Sequence, residues 1–244
     1  MSSPICNGKR NSRTKRWFVF KRAKSKGKNV PYEIKAINYG GVNCYLIKTG
    51  EDFILIDTGV PGKRAAVEKE LESSGCQPGN LKFIILTHGD YDHAGNTAHI
   101  REKYGTKIAM HADDSGIVER EDWNWNRKAK PDKHILFLRI VSFFFKPDKF
   151  DTFKPDLYVE DGHNLSQYGL YARVLHLPGH SKGSIGILTD AGDLFCGDLI
   201  YNMGMGIPLT PYIDDLADFN RSIEKLKNLN INIVYPGHGN PFSM

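Results

Sequence analysis

The sequence predicts an α/β protein made of two similar halves, with their sheets face to face and helices outside. Three observations lead there. Short apolar runs ending at glycine- or aspartate-bearing turns recur along the chain, interleaved with stretches of helical period. The stretch Tyr45-Leu46-Ile47-Lys48-Thr49-Gly50 followed by Phe53–Asp57 is echoed by Ile185–Asp190 followed by Asp193–Asp198. In both, a strand, a tight turn and a second strand lead to an aspartate close to a glycine, as an internal duplication would produce. Finally, 244 residues with 40% hydrophobic content can bury one large core or two small ones, and 25% charged residues is ordinary for a globular domain.

Residues 1–29 stand apart from the body at 30–244. Ten of the 33 Lys and Arg residues precede Asn29 with no acid among them, so the net charge of +5 belongs to this arm and the remainder is mildly acidic. A solvated, poorly ordered tail is the expectation. Contact with nucleic acid or an anionic membrane, helped by Trp17 and Phe18, is less favoured. The arm's apolar run, Trp17–Phe20, is too short for a signal-peptide core. Ile135–Phe145, interrupted by Arg139, falls short of the roughly 18–20 residues of a membrane span. Cys6, Cys44, Cys76 and Cys196 are scattered without a C-x-x-C pair, which suits a reducing compartment, and a cytoplasmic location is expected.

Along the body, Tyr32–Ile37, Asn43–Lys48 and Phe53–Ile56 read as strands separated by Gly40-Gly41 and Thr49–Asp52 turns. A helix follows over Lys63–Ser74, with Val67 and Leu71 four apart and Gly75 as its stop. Phe83–Leu86 is a continuous apolar run, the mark of a strand buried on both faces. A helix from Ala94 to Tyr104 and a strand over Lys107–Met110 come next. Residues 115–157 break this rhythm. They carry Trp123, Trp125, Ile135–Leu138 and Phe143–Phe145 between Pro131, Pro147 and Pro155. So aromatic an insertion is expected to form a lid or wall over a site, a homodimer contact, a membrane-surface patch or a cluster on the flank.

Strands resume at Tyr171–Leu175, Ser184–Leu188 and Asp193–Cys196. In the last helix, Leu216, Phe219, Ile223, Leu226 and Leu229 recur at steps of three and four, opposite Arg221, Glu224, Lys225 and Lys227. Asp214 or Asp215 is its expected N-cap. A final strand over Ile231–Tyr235 delivers Pro236-Gly237-His238-Gly239.

The chemistry concentrates at strand ends. Straight after Phe83–Leu86 come His88, Asp90, Asp92 and His93, four candidate metal ligands within six residues. Ligands on a rigid sheet edge keep their geometry before an ion arrives, which metal binding rewards. Three later turns repeat the logic, with His180 after Pro178-Gly179, Asp198 after Gly197, and His238 after Pro236-Gly237. Four histidines and three aspartates suit two divalent ions with one carboxylate bridging them.

Through Thr87-His88-Gly89-Asp90-Tyr91-Asp92-His93-Ala94-Gly95, Pro178-Gly179-His180, Gly197-Asp198 and Pro236-Gly237-His238-Gly239, the sequence resembles the metallo-β-lactamase-fold superfamily across about Tyr32–Pro241. The resemblance implies a four-layer αββα sandwich and a binuclear metal hydrolase. It assigns His88, Asp90 and His180 to a first ion, Asp92, His93 and His238 to a second, and Asp198 to the bridge. Asp57 would support the site from behind. The chain departs from the usual motif at Asp90, where a histidine is expected. A harder, charged ligand there moves preference toward iron or manganese, with zinc still the first expectation for both ions. Iron-dependent flavodiiron proteins likewise place an acid, a glutamate, at this position.

In such a site, two cations about 3.5–4 Å apart lower the pKa of a shared water to near neutrality, and the resulting hydroxide attacks a carbonyl or phosphoryl group. Asp92 is the candidate for passing the proton to the leaving group. Tyr201, three residues past Asp198 as in lactonases of the family, is the candidate hydrogen-bond donor to the oxyanion. The expected function is hydrolysis of a small-molecule ester, thioester or lactone. A di-iron redox protein or dioxygenase is the alternative raised by Asp90, and a nucleic-acid phosphodiesterase the one raised by the basic arm. His99, His111, His134, His163 and His176 are expected to be structural or solvated, with His176 inside a strand and His111 lacking ligand neighbours. Cys196 is expected to be buried among apolar side chains.

Overall fold

The computed structural model describes residues 32–134, 150–202 and 211–244, and the backbone of residues 17–18, 24–25 and 28–29. The rest of the basic arm and the Ile135–Phe145 run lie outside these described residues.

Among the described residues two large sheets form, each with its strands in chain order, beside two two-stranded ribbons that pair Lys24–Ser25 with Lys28–Asn29 and Lys133–His134 with Tyr212–Ile213. The first runs β1 (Trp17–Phe18), β2 (Tyr32–Tyr39), β3 (Val42–Thr49), β4 (Asp52–Ile56), β5 (Leu81–Ile85), β6 (Lys107–Met110) and β7 (Leu157–Tyr158). The second runs β8 (Ala172–His176), β9 (Ile185–Thr189), β10 (Asp193–Gly197), β11 (Ile233–Pro236) and β12 (Phe242–Ser243). Among the described residues five α-helices accompany them: α1 (Arg64–Glu72), α2 (Tyr91–Ala94), α3 (Thr97–Tyr104), α4 (Ser115–Arg120) and α5 (Leu216–Lys227).

The duplication is visible in the connections. In the first half, β2, β3 and β4 are antiparallel neighbours, and β5 returns parallel to β4 after α1. In the second, β8, β9 and β10 are antiparallel neighbours, and β11 returns parallel to β10 after α5.

Alternation along the strands builds the layers. In β3, Cys44 and Leu46 face an outer core shared with Val67 and Leu71 of α1 and Ile100 and Tyr104 of α3. Tyr45 and Ile47, one residue out of phase, face Val174, Ile185, Ile187 and Phe195 of the opposite sheet. A third core sets Leu175, Leu194, Cys196 and Val234 against Leu226 of α5, with Phe219 and Ile223 packed on it. Three apolar interfaces between four layers make the αββα sandwich, and burial on both faces explains why β3–β5 read as continuous apolar runs.

Three local expectations change. The predicted Ala94–Tyr104 helix is two helices, and the first begins at Tyr91, so Asp92 and His93 sit on a helical turn with Asp90 as its cap. His176 ends its strand rather than lying inside it. Leu216 keeps the helical period but is 45% exposed, because it starts α5 beyond the sheet that covers the later turns. Asp215 is the N-cap, its carboxylate accepting from the Asp218 amide. Among the insertion's described residues, Trp123 meets Tyr91 and Phe150 edge-on, and Phe150 and Phe153 are buried in the outer core.

Candidate metal centre

The seven side chains singled out from the sequence meet at one edge of the sandwich. His88 and Asp90 follow β5, Asp92 and His93 lie on α2, His180 follows β8, Asp198 follows β10 and His238 follows β11. Their ligand atoms form three groups, each lying within 4.8 Å of one another: His88, Asp90 and His180; His88, His93 and Asp198; Asp92, His93 and His238. Asp198 is at the middle. Its carboxylate oxygens lie 3.9 Å from His88 Nε2, 3.1 Å from His93 Nε2, 3.9 Å from His180 Nε2 and 3.4 Å from His238 Nε2.

The ring orientations follow from what holds the opposite nitrogen. His93 Nδ1 donates to Asp57 Oδ2 at 2.8 Å, and His238 Nδ1 donates to the Gly41 carbonyl at 2.9 Å. A carbonyl and a carboxylate act as acceptors, so each Nδ1 carries the hydrogen and each Nε2 faces the centre. Thr87 Oγ1 donates to Asp57 Oδ2 at 2.8 Å and so takes the hydrogen of His88 Nδ1 at 3.0 Å. One aspartate thereby orients two imidazoles, one directly and one through a hydroxyl. This is the backing a metal-binding histidine needs. Asp57 itself has φ 58°, an uncommon backbone conformation for a residue with a side chain.

The turns are held from across the sandwich. Asn43 of β3 donates through Nδ2 to the carbonyls of Pro236 and Gly239 at 2.9 and 2.7 Å, and Tyr45 donates to Pro236 at 2.7 Å, fixing the His238 turn. Gly237 lies so close to Asp198 and His93 that a Cβ there would collide with both. The buried carboxylate of Asp114 accepts from Gly89 N at 3.1 Å, Ser181 Oγ at 2.6 Å and Gly183 N at 2.7 Å, joining the His88 and His180 turns. Burial pushes this carboxyl up, against the pull of Ser181 and Arg127. On the far side of the His180 turn, Ser222 of α5 donates to the Pro178 carbonyl at 2.7 Å.

The electrostatics are those of a crowded, dry cluster. Burial and the neighbouring His93 drive His88 well below the usual imidazole range. Burial opposes charge on His93 and His238 too, but Asp198 outweighs it, holding His93 well above that range and His238 up at about 10. For Asp198, burial is outweighed by His238 and His93, and its carboxyl stays well below the usual carboxylate range. Cation binding here must therefore displace protons. Three buried polar atoms, His88 Nε2, His93 Nε2 and Asp198 Oδ1, have no hydrogen-bond partner although they face one another. Such groups are rarely left unmet. Lone pairs converging on a common space are what a divalent cation fits, and the donor set of imidazoles and carboxylates suits zinc, iron or manganese.

Tyr201 lies at this centre. Its hydroxyl donates to Asp198 Oδ2 and its ring stacks on His238 at 4.6 Å. Asn43, Asp114 and Arg127 are among the contributors that escaped the sequence reading. Asn43 and Asp114 are single polar residues far in sequence from what they hold. Arg127, on the loop after α4, pairs with Asp90 Oδ1, and its signal was only the extra negative charge at Asp90 that a buried site must balance. His111 also departs from expectation. The ends of β6 and β8 meet, so its ring stacks on His176 at 4.2 Å and 4°, with Asp113 nearby. Parallel rings point their in-plane lone pairs side by side rather than at one ion, and His176 Nε2 donates to the Lys182 carbonyl at 2.9 Å.

Among the described residues, no helix is long and apolar enough to cross a membrane. The chain is 30% identical over 203 residues to hydroxyacylglutathione hydrolase GloC of Haemophilus influenzae, covering 81% of this chain and 85% of that protein. It is 25% identical over 211 residues to human acyl-coenzyme A thioesterase MBLAC2, covering 82% and 74%. With the beta-lactamase-like protein 2 homolog of Caenorhabditis elegans it shares 26% identity over 200 residues, 82% of this chain. It spans only 56% of that relative and 61% of its Drosophila melanogaster counterpart. Among solved structures, a metallo-beta-lactamase family protein of Thermus thermophilus superposes with a TM-score of 0.63 at 24% identity, covering 87% of this chain and 74% of that one. Subclass B3 BJP-1 of Bradyrhizobium japonicum does so at 0.62 and 22%, covering 84% and 74%. At these identities the likeness speaks to the fold. Residues 37–238 match the sequence model of the metallo-beta-lactamase superfamily, and the chain belongs to that family.

Proposed function

We propose that this chain is a binuclear metal-dependent hydrolase of small acyl substrates, with thioesters first and esters or lactones next. His88, Asp90 and His180 would hold the first ion, Asp92, His93 and His238 the second, with Asp198 shared by both groups. The observation that carries this reading is the position of Asp198, within 3.9 Å of four imidazoles drawn from both halves of the chain. The thioester preference rests on relatives named a hydroxyacylglutathione hydrolase and an acyl-coenzyme A thioesterase.

Two divalent ions so held supply Lewis acidity for an acyl oxygen and a water with pKa near neutrality. The residues of the chain do the rest. Asp57 and Thr87 keep the His93 and His88 rings in the tautomer that leaves Nε2 unprotonated once a cation has displaced the proton. Tyr201 holds one oxygen of Asp198, so donation to a substrate oxyanion requires its hydroxyl to swing from that carboxylate. Asp92, at 20% side-chain exposure and 3.5 Å from His238 Nε2, borders solvent and is the group to carry a proton to the departing thiolate or alkoxide. Zinc is the proposed metal, with iron or manganese as alternatives.

Elemental analysis of protein made without added metal, paired with a panel of acyl thioesters, lactones and phosphodiesters, tests this. The expected result is close to two ions per chain and turnover fastest on a thioester, abolished by chelator and restored by zinc. Full turnover in thoroughly chelated protein would overturn it. Cleavage of the phosphodiester alone would replace the acyl reading with the nucleic-acid one.

A further inference from the structure

Asp90 is the one carboxylate in the first group of three, and its two oxygens face different partners. Oδ2 lies 3.0 Å from His180 Nε2 and 3.6 Å from His88 Nε2, on the side of the proposed ion. Oδ1 is taken by the Arg127 guanidinium, whose side chain is only 11% exposed. The loop that brings Arg127 here is fixed at each step. Trp125 packs over Gly116, where a Cβ would strike its ring, and Arg120 lies 4.5 Å above the same indole. Asn126 turns the chain with φ 56° and donates through Nδ2 to the Asp113 carbonyl at 2.8 Å. The Lys128 amide donates to Asp214 Oδ1 at 3.1 Å, and the Arg127 guanidinium lies 5.5 Å from the Tyr212 ring centre.

We propose that Asp90 and Arg127 work as a matched pair, with Arg127 a positioning residue that occupies one oxygen of Asp90 and balances its charge, so that a single oxygen is presented to the first ion. The inference rests on the reading of His88, Asp90 and His180 as a metal site. An arginine fits this duty because a weakly hydrated, always charged guanidinium is less costly to bury beside a carboxylate than a strongly hydrated ammonium. A substrate anion is the other occupant a buried guanidinium beside a metal site invites. Here Nη2 of the guanidinium already has its carboxylate, and Nε, though without a hydrogen-bond partner, is buried away from solvent.

The pairing predicts that the two residues can be exchanged only together. The test is a double-mutant cycle of Arg127→Met, Asp90→His and the combined variant, read as zinc retained per chain after dialysis and as zinc affinity by chelator competition. Melting of the metal-free proteins controls for folding. Arg127→Met alone should weaken one ion by roughly 10–100-fold, the range for loss of an outer partner of a ligand. Asp90→His alone should also weaken it, since it leaves a buried guanidinium without its counter-ion. The combined variant should recover to within several-fold of the wild type, so Arg127→Met reverses sign between the two backgrounds. Arg127→Lys, which keeps the charge but not the fork, should fall between wild type and Arg127→Met and serves if the methionine variant does not fold. Lys130→Met, an exposed residue of the same loop, should change nothing. Equal losses from Arg127→Met in both backgrounds, or no loss in either, would overturn the pairing while the metal site stands. A wild-type protein that retains no zinc, iron or manganese would instead overturn the metal reading itself.

Discussion

Asp57 and Asp198 occupy matching places in the two halves. Ile47 faces Ile54 in one hairpin and Ile187 faces Phe195 in the other, and each aspartate comes three residues after the second member of its pair. Their duties differ because the left-handed residue falls in a different place. In the first half it is Asp57 itself, φ 58°, and the carboxylate folds back onto the Thr87 amide and hydroxyl and His93 Nδ1. In the second it is Gly197, φ 52°, one position earlier, and the Asp198 carboxylate projects among the four imidazoles. A one-residue shift of a turn separates a residue that would bind from a residue that orients the binders.

Substitutions at these places test the distinction. The largest effect is expected from Asp198→Ala, which removes the carboxylate common to all four rings. Metal content and hydrolysis should fall together, by more than the roughly 10–100-fold that loss of an outer partner costs. Asp57→Ala should stay within that range, and added zinc should restore turnover because the seven proposed ligands remain. Equal and irreversible losses in the two variants would break the comparison. Gly197→Ala should cost about 1–3 kcal/mol in denaturant unfolding, since a side chain at φ 52° is strained and its Cβ would lie 2.6 Å from Thr87 Oγ1. An unchanged midpoint would mean that the turn does not set the carboxylate's direction.

The smallest effect concerns the join between the halves, where His111 stacks on His176. Burial, then the neighbouring His176, lowers His111 below its ordinary value of 6.5, so the fold favours the neutral ring. Unfolded chains then bind more protons than folded ones, and the stability present above about pH 6.5 is lost as pH falls through the lowered value. His111→Phe should flatten this part of the acid limb in thermal melts between about pH 7 and 5. An unaltered slope would place the acid sensitivity elsewhere.

The sequence carried the layers and the candidate ligands because both are local. Strands such as β3 and β5 read from their apolar runs, and their boundaries slipped by one or two residues: β3 gains Val42 and Thr49, while β5 gains Leu81 and Lys82 and ends before Leu86. The candidate ligands stood out because they cluster within a few residues of strand ends, and the structure brings all seven together. What holds them was hidden. Asp114 is 67 residues from Ser181, Asn43 is 193 from Pro236 and Arg127 is 37 from Asp90, and none has a neighbouring pattern that names its partner. A single hydrogen bond across the sandwich has no period to detect.

The reach of Asn43, Tyr45 and Asp114 into the opposite half has a mechanical consequence. The pins of this lock come from both sides of the joint, so neither half assembled alone holds more than a fraction of the ligand set. Heat or denaturant strong enough to part the sheets should release whatever the pocket carries in the same transition, and tight occupancy should in turn raise the temperature at which they separate.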